Sequence, residues 1–237
     1  MEFKRENKAS IKYLFNTIST KYDKLNFLMS FGLQKNIKKR AVKNAIKNLQ
    51  YKPLRILDLC CGTGDIAILL KKICPDAEIV AVDFSKEMLE IAKKRSNEIH
   101  FFEKDVFQLG EEIPFEKESF DLCFISFGLR NLPDIDDFLE YIKFYLKPKG
   151  LLAILDLGKP IWYMNWYFKL HYNIVIPFFA KIFSNDKKAY EYFVLSSKTY
   201  PEQSEIRQKL VTHGYKNCKN YNYSFGVIAQ QIGYKED

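Results

Sequence analysis

The sequence predicts one α/β domain built on a mostly parallel sheet. Three observations carry this. Arg55-Ile-Leu-Asp-Leu-Cys-Cys-Gly-Thr-Gly-Asp65 reads as a buried strand entering a glycine turn and then a helix. Val82-Asp83 close the next apolar run with a carboxylate. From there to residue 160, strand-like and helix-like segments alternate, as they do in βα units with right-handed crossovers. A chain of 237 residues is long enough for a full core in a single domain, 1–237.

The elements follow in order. Residues 1–52 form a basic helical region, with helix over 10–50 and a break at Met29-Ser-Phe-Gly32. The core, 53–160, holds strands at 54–60, 78–83, 99–105, 121–127 and 151–157. Between them the pattern predicts helices at 64–74, 85–96 and 134–147, the last stopped by Lys147-Pro-Lys-Gly150. An aromatic insert, 161–200, is expected to be helical. The remainder, 201–237, reads as a helix at 202–213 and strands at 217–224 and 226–234, an antiparallel hairpin around Phe225-Gly226. The insert segment 161–183 is long enough to span a bilayer, but Lys169, His171 and Lys181 interrupt it. Each charge costs several kcal/mol at mid-membrane, roughly 2.5–3.5 on insertion scales, so a lid or substrate-pocket helix pair is expected instead.

Charge is unevenly placed. Residues 1–52 hold 13 Lys/Arg against 3 Asp/Glu, while the rest holds 24 against 26. Lys35, Lys39, Lys43 and Lys47 recur every four residues and line one helix face. Ile37, Ala41, Ala45, Ile46 and Leu49 turn toward a core. A solvated face, an anionic membrane surface or nucleic acid would each suit such a stripe. The five cysteines form no C-x-x-C and no His clusters with them, so reduced thiols and no metal are expected. No secretory signal is read in Met1-Glu-Phe-Lys-Arg5, and a cytoplasmic chain is expected.

The glycine loop points to a nucleotide. Gly62-Thr-Gly-Asp-Ile-Ala67 satisfies the loose dinucleotide pattern G-x-G-x-x-[G/A]. Two carboxylates, Asp58 and Asp65, flank the turn, and a pyrophosphate would meet negative charge there. S-adenosyl-L-methionine has no phosphate and carries an ammonium and a sulfonium, which suit an acidic loop. Asp83 would accept hydrogen bonds from the ribose hydroxyls in either case. Turn and cap chemistry alone also accounts for Asp58 and Asp65.

The chain resembles the bacterial demethylmenaquinone and ubiquinone-pathway C-methyltransferases over nearly its whole length. The most specific segments are Phe15-Asn-Thr-Ile-Ser-Thr-Lys-Tyr-Asp23, Asn26-Phe-Leu-Met-Ser-Phe-Gly32 and Ser126-Phe-Gly-Leu-Arg-Asn131. Tyr190-Glu-Tyr192 and the tail Gly226-Val-Ile-Ala add to these. The resemblance implies a class I S-adenosylmethionine-dependent, Rossmann-like fold with a seven-stranded sheet ending in an antiparallel hairpin. It carries Thr63 and Asp83 over as cofactor contacts, and Ser126 from some members, beside Asp58, Gly62 and Gly64 read from the loop itself. Asp105-Val106 stand where the family flanks the adenine, with Asp-Val in place of the common Asn-Ala. Cys60-Cys61 resembles menaquinone-type members. No Asn/Asp-Pro-Pro-Tyr follows the fourth strand, which favours a carbon acceptor and argues against nucleic acid.

The implied reaction is C-methylation of a prenylated quinol, demethylmenaquinol to menaquinol, or the benzoquinol of the ubiquinone route. A ring carbon becomes nucleophilic when the quinol hydroxyl loses its proton, and a phenol pKa near ~10 leaves little phenolate at pH 7. A guanidinium would stabilise that anion, so Arg130 is assigned to activation, with Asn131 and Tyr22 positioning the ring. Ion pairing of Arg130 with Asp134 or Asp136 is the competing structural role. Expected partners are the quinol and, through the basic helix and the insert, an anionic membrane surface at the inner face. A homodimer is compatible with this reading. A basic RNA-binding protein that kept the fold without the chemistry is the rival from another class.

Overall fold

The computed structural model describes residues 8–29, 32–49, 51–110, 114–164, 166, 192 and 195–236. Two helices lead, α1 (Lys8–Met29) and α2 (Leu33–Asn48). The core alternates β1 (Arg55–Leu59), α3 (Asp65–Ile73), β2 (Glu78–Asp83), α4 (Lys86–Arg95) and β3 (His100–Glu103). It continues through β4 (Phe120–Ser126), α5 (Ile135–Lys143) and β5 (Leu146–Leu157). Helix α6 (Gln203–Thr212) and strands β6 (Lys216–Tyr223) and β7 (Ile228–Tyr234) complete the fold. Most of the helical insert expected over 161–200, including Tyr190-Glu191, lies outside the described residues.

One sheet of seven strands runs β3-β2-β1-β4-β5-β7-β6. β1 to β5 are parallel, and β7 inserts antiparallel between β5 and β6. The parallel strands are apolar nearly throughout because helices cover both faces. Ile37, Ala41, Val42 and Ala45 of α2 and Ile66, Ala67 and Leu70 of α3 bury one face. Phe138, Leu139 and Ile142 of α5 and Ile206 and Leu210 of α6 bury the other. The lysine stripe on α2 stays exposed, as its four-residue spacing requires.

Strand order reverses between β1 and β4, so the crevice outside their carboxyl ends is the expected ligand site. α1 packs against α4 and α2 and crosses above this crevice.

Two expectations are corrected. Helix α5 stops at Lys143 rather than 147, because Phe144 and Tyr145 turn their carbonyls to the N–H groups of residues 118–120. Lys147-Pro-Lys-Gly150 therefore lies inside β5, as a bulge between the Phe120–Leu146 and Leu122–Leu151 pairs, where a missing proline N–H is tolerated. Lys147 is held there by Asp121 at 2.7 Å. The expected hairpin is present, with a left-handed turn at Ser224, Phe225 and Gly226.

Candidate active site

The cleft sits at the strand-order reversal and encloses about 730 Å³ of empty space, its open mouth included. β1 supplies Cys60 and Gly62, β2 supplies Asp83 and Phe84, and β3 leads into Lys104, Asp105, Val106 and Phe107. β4 leads into Ser126, Phe127 and Gly128, followed by Asn131, Leu132 and Pro133. Ile11, Phe15 and Tyr22 of α1 form the roof.

Asp83 organises the floor. Its Oδ2 accepts the Gly62 N–H and its Oδ1 the Ser85 N–H, both at 2.8 Å. Burial lifts its carboxyl to about 6, against the pull of these backbone donors. Gly62 has a left-handed φ of 55°, and a Cβ there would point into open space. Gly64, at φ 83°, serves packing instead: a Cβ would lie 3.1 Å from Ala92 of α4. Asp105 folds back on its own loop, its Oδ1 accepting the Phe107 N–H at 2.9 Å.

Several expected contacts lie behind the cleft wall. Asp58 is fully buried, and its two carboxylate oxygens make no hydrogen bond among the described residues. Burial pushes its carboxyl well up; the Ala67 amide and Lys38 pull the other way. Thr63 turns away from the cleft and donates to Asp23 of α1 at 2.8 Å. Asp65 also faces away, paired with Lys38 at 3.0 Å and Arg95 at 2.6 Å. Burial would raise the Asp65 carboxyl, but Lys38 and Arg95 outweigh it and hold it below the usual range. Of the two acidic residues read beside the loop, Asp65 is paired with two cations, whereas Asp58 has no ion-pair partner among the described residues and burial favours its neutral form.

Arg130 does not line the cleft. Its guanidinium is buried and donates to Asp156 Oδ1 at 2.6 Å, over the Phe127 ring. The ion pair thus forms with Asp156 of β5, not with Asp134 or Asp136. Asp134 instead caps α5, accepting the Asp136 and Asp137 N–H groups, and Asp136 pairs with Lys209 and His213. Burial would lower the Arg130 pKa, but Asp156 outweighs it and holds the charge. Asn131 and Tyr22 do face the cleft.

Sequence reasoning missed how α1 is fastened. Lys12 reaches Glu103 at 2.8 Å, Asn16 accepts from Ser85 at 2.6 Å, and Asp23 binds Thr63 and Arg95. The partners are 40 to 91 residues apart, beyond any local pattern.

The residues present fit S-adenosylmethionine. Unpartnered buried oxygens, Asp58 Oδ1 and Oδ2 and Ser126 Oγ, lie under and along the cleft, suited to cationic or hydrogen-bonding groups. The open space above Gly62 allows close approach of a ribose to Asp83. Fold and cleft define a class I S-adenosylmethionine-dependent methyltransferase. A solved SAM-dependent methyltransferase from Thermotoga maritima matches with a TM-score of 0.63 at 18% identity, over 94% of this chain and 99% of that one. The plantazolicin methyltransferase BpumL, solved with SAH, matches with a TM-score of 0.66 at 16% identity, over 93% and 90%. The chain belongs to the ubiE/COQ5 methyltransferase family, matched over residues 2–235. It is 35% identical to the demethylmenaquinone methyltransferase of Staphylococcus aureus (strain JH9), over 98% of this chain and 95% of that protein.

Proposed function

We propose that the protein methylates a ring carbon of a prenylated naphthoquinol, converting demethylmenaquinol to menaquinol. The observation that carries this is the near full-length likeness to the Staphylococcus aureus demethylmenaquinone methyltransferase. The cleft supports it. Its lining joins Asp83, which suits a ribose, to Phe15, Phe127 and Leu132 and two polar groups, Tyr22 and Asn131. A flat aromatic ring with two hydroxyls fits such a wall.

S-adenosylmethionine, when bound, supplies an electrophilic methyl group on sulfonium sulfur. Asp83 holds the ribose hydroxyls, and Asp105 and Val106 border the adenine. Gly62 lets the backbone approach, and Asp58 lies buried behind the loop, its two carboxyl oxygens turned to no hydrogen-bond partner among the described residues. Thr63 and Gly64 act indirectly, by fastening α1 and packing α4. Ser126 lines the cleft with a buried hydroxyl. Tyr22 and Asn131 orient the ring hydroxyl. Arg130 stands behind Phe127, ion-paired with Asp156. The positive end of that pair favours transfer of the hydroxyl proton to water; the ring carbon then takes the methyl group, and its own proton also leaves to water. α1 excludes water from the ring.

The test is methyl transfer from labelled S-adenosylmethionine to demethylmenaquinol and to the methyl-accepting benzoquinol, each in detergent. Menaquinol is the expected product. Labelling of the benzoquinol alone would move the assignment to the ubiquinone route, and labelling of neither would remove the quinol reading.

The acceptor's polyprenyl tail resides in lipid, so we also place the protein at a membrane surface. Among the described residues no helix is long and apolar enough to cross a membrane. Contact is therefore assigned to the exposed lysine stripe of α2 and the exposed aromatic side chains around Trp162.

A further inference from the structure

Asp156 and Tyr192 both touch the turn at Leu129–Asn131 that follows β4. Neither lines the cleft. We infer that both are positioning residues for methyl transfer, Asp156 acting through Arg130 and Tyr192 through Asn131. This rests on the quinol reading above.

Asp156 grips the turn twice. Its Oδ1 accepts from the Arg130 guanidinium at 2.6 Å, and its Oδ2 accepts the Arg130 backbone N–H at 3.2 Å. The same Oδ1 accepts the Leu157 N–H at 2.8 Å, which locks the carboxylate to β5. With Asp156 only 1 % exposed, the pair is dry and its geometry fixed. Asp156 therefore sets where the Arg130 charge sits relative to the ring.

Tyr192 fixes the neighbouring residue. Its hydroxyl donates to Asn131 Oδ1 at 3.0 Å, while Asn131 Nδ2 donates to the Phe127 carbonyl at 3.3 Å. A carboxamide has one acceptor oxygen and one donor nitrogen, so these two bonds together allow a single orientation. Tyr192 packs on Ile11 and Leu14 of α1. It thus ties the orientation of Asn131 to the position of the roof.

The experiment uses the full-length protein with Tyr192→Phe, Asp156→Asn, and the paired replacement Arg130→Met with Asp156→Leu. Turnover, quinol KM, S-adenosylmethionine affinity by calorimetry, and a crystal structure of Tyr192→Phe are read. Tyr192→Phe should lower kcat about tenfold with cofactor affinity unchanged, and should cost nothing further in an Asn131→Ala background. Asp156→Asn should lower kcat about a hundredfold. The paired variant keeps the buried site neutral, so it should fold and still be as slow as Asp156→Asn. Multiplying losses in the Tyr192–Asn131 cycle, wild-type turnover in the paired variant, or cofactor affinity falling in step with kcat would overturn the inference. An unturned Asn131 carboxamide in the Tyr192→Phe crystal would overturn the Tyr192 half even if the acceptor were not a quinol. A wild-type protein inactive on every quinol would instead sink the quinol reading.

Discussion

Asp83 is the residue proposed to hold the ribose, and its environment makes a pH signature. Burial raises its carboxyl from 3.8 to about 6, so the folded protein holds this proton more tightly than the unfolded chain. The stability it contributes is fully present below 3.8 and is lost as pH rises through about 6. The amount is on the order of 3 kcal/mol at 1.36 kcal/mol per pKa unit. Ribose hydroxyls need the ionised carboxylate as acceptor. Affinity for S-adenosylmethionine should therefore climb from pH 5, pass its midpoint near 6 and level off above about 7, and Asp83→Asn should bind weakly with that slope removed. Calorimetric titration of both proteins between pH 5 and 7.5 checks this, and a flat wild-type profile would sink it. Cys60 beside Asp83 shows a different constraint. At the start of the glycine loop, Cys60 has a left-handed backbone with φ 53°. Its Cβ fills the place that a Cβ on Gly128 would take, 2.6 Å away. Burial and then Asp83 push its thiol well up, which favours the protonated form.

At the scale of elements, α1 is a roof held by polar fastenings rather than by a large core. Asn16 takes the hydroxyl proton of Ser85, which also caps α4 and donates its own N–H to Asp83. Asp23 holds both Thr63 of the glycine loop and Arg95 of α4. Removing either link should loosen the roof over the cofactor. Asn16→Ala and Asp23→Ala are each expected to weaken cofactor affinity by about 1 kcal/mol, through faster release. Lys12→Ala should do little, because its pair with Glu103 is exposed on both sides. Stopped-flow release of the cofactor distinguishes these, and a larger effect from Lys12→Ala than from Asp23→Ala would refute the scheme. These fastenings explain what the sequence could and could not reveal. The strands before the loop, the glycine turn and Asp83 were legible because each is a local pattern of a few residues. The start of β5 was not, since a proline and a glycine read as a stop while Asp121, 26 residues away, holds Lys147 into the sheet. Thr63 and Arg130 were singled out as direct contacts, yet neither lines the cleft, and the family motif says nothing of the side chains they meet. Asp23 and Asp156 reach them only through the folded chain.

For the whole molecule, the proposed acceptor raises the question of how a cleft under a helical roof would meet a ring whose tail lies in lipid. The exposed cations and exposed aromatics are continuous at the carboxyl edge of the sheet. Arg40 of α2 lies over the Tyr223 ring, at the end of β6, and the next turn carries Phe225, 58 % exposed. The Phe225 carbonyl accepts the Ile161 N–H at 2.9 Å, which joins that turn to Trp162, 86 % exposed, and to Tyr163 stacked edge-on against it. Lys35, Lys39 and Lys43 continue the cationic side along α2. Aromatic rings settle at the headgroup level, and each nearby Lys or Arg adds about 1 kcal/mol toward an anionic leaflet. Binding to vesicles rich in anionic lipid should therefore be strong at low salt and fall steeply toward 0.5 M, over a Debye length shrinking from about 10 Å at 0.1 M. Lys35→Glu with Lys39→Glu should lower affinity and flatten the salt dependence. Trp162→Ala should lower affinity while leaving the salt slope intact, since it removes only apolar insertion. Both variants should keep wild-type turnover on a quinol with a truncated tail presented in detergent. Vesicle sedimentation across a salt series measures all three, and equal binding to neutral and anionic vesicles at low salt would dismiss the electrostatic contribution.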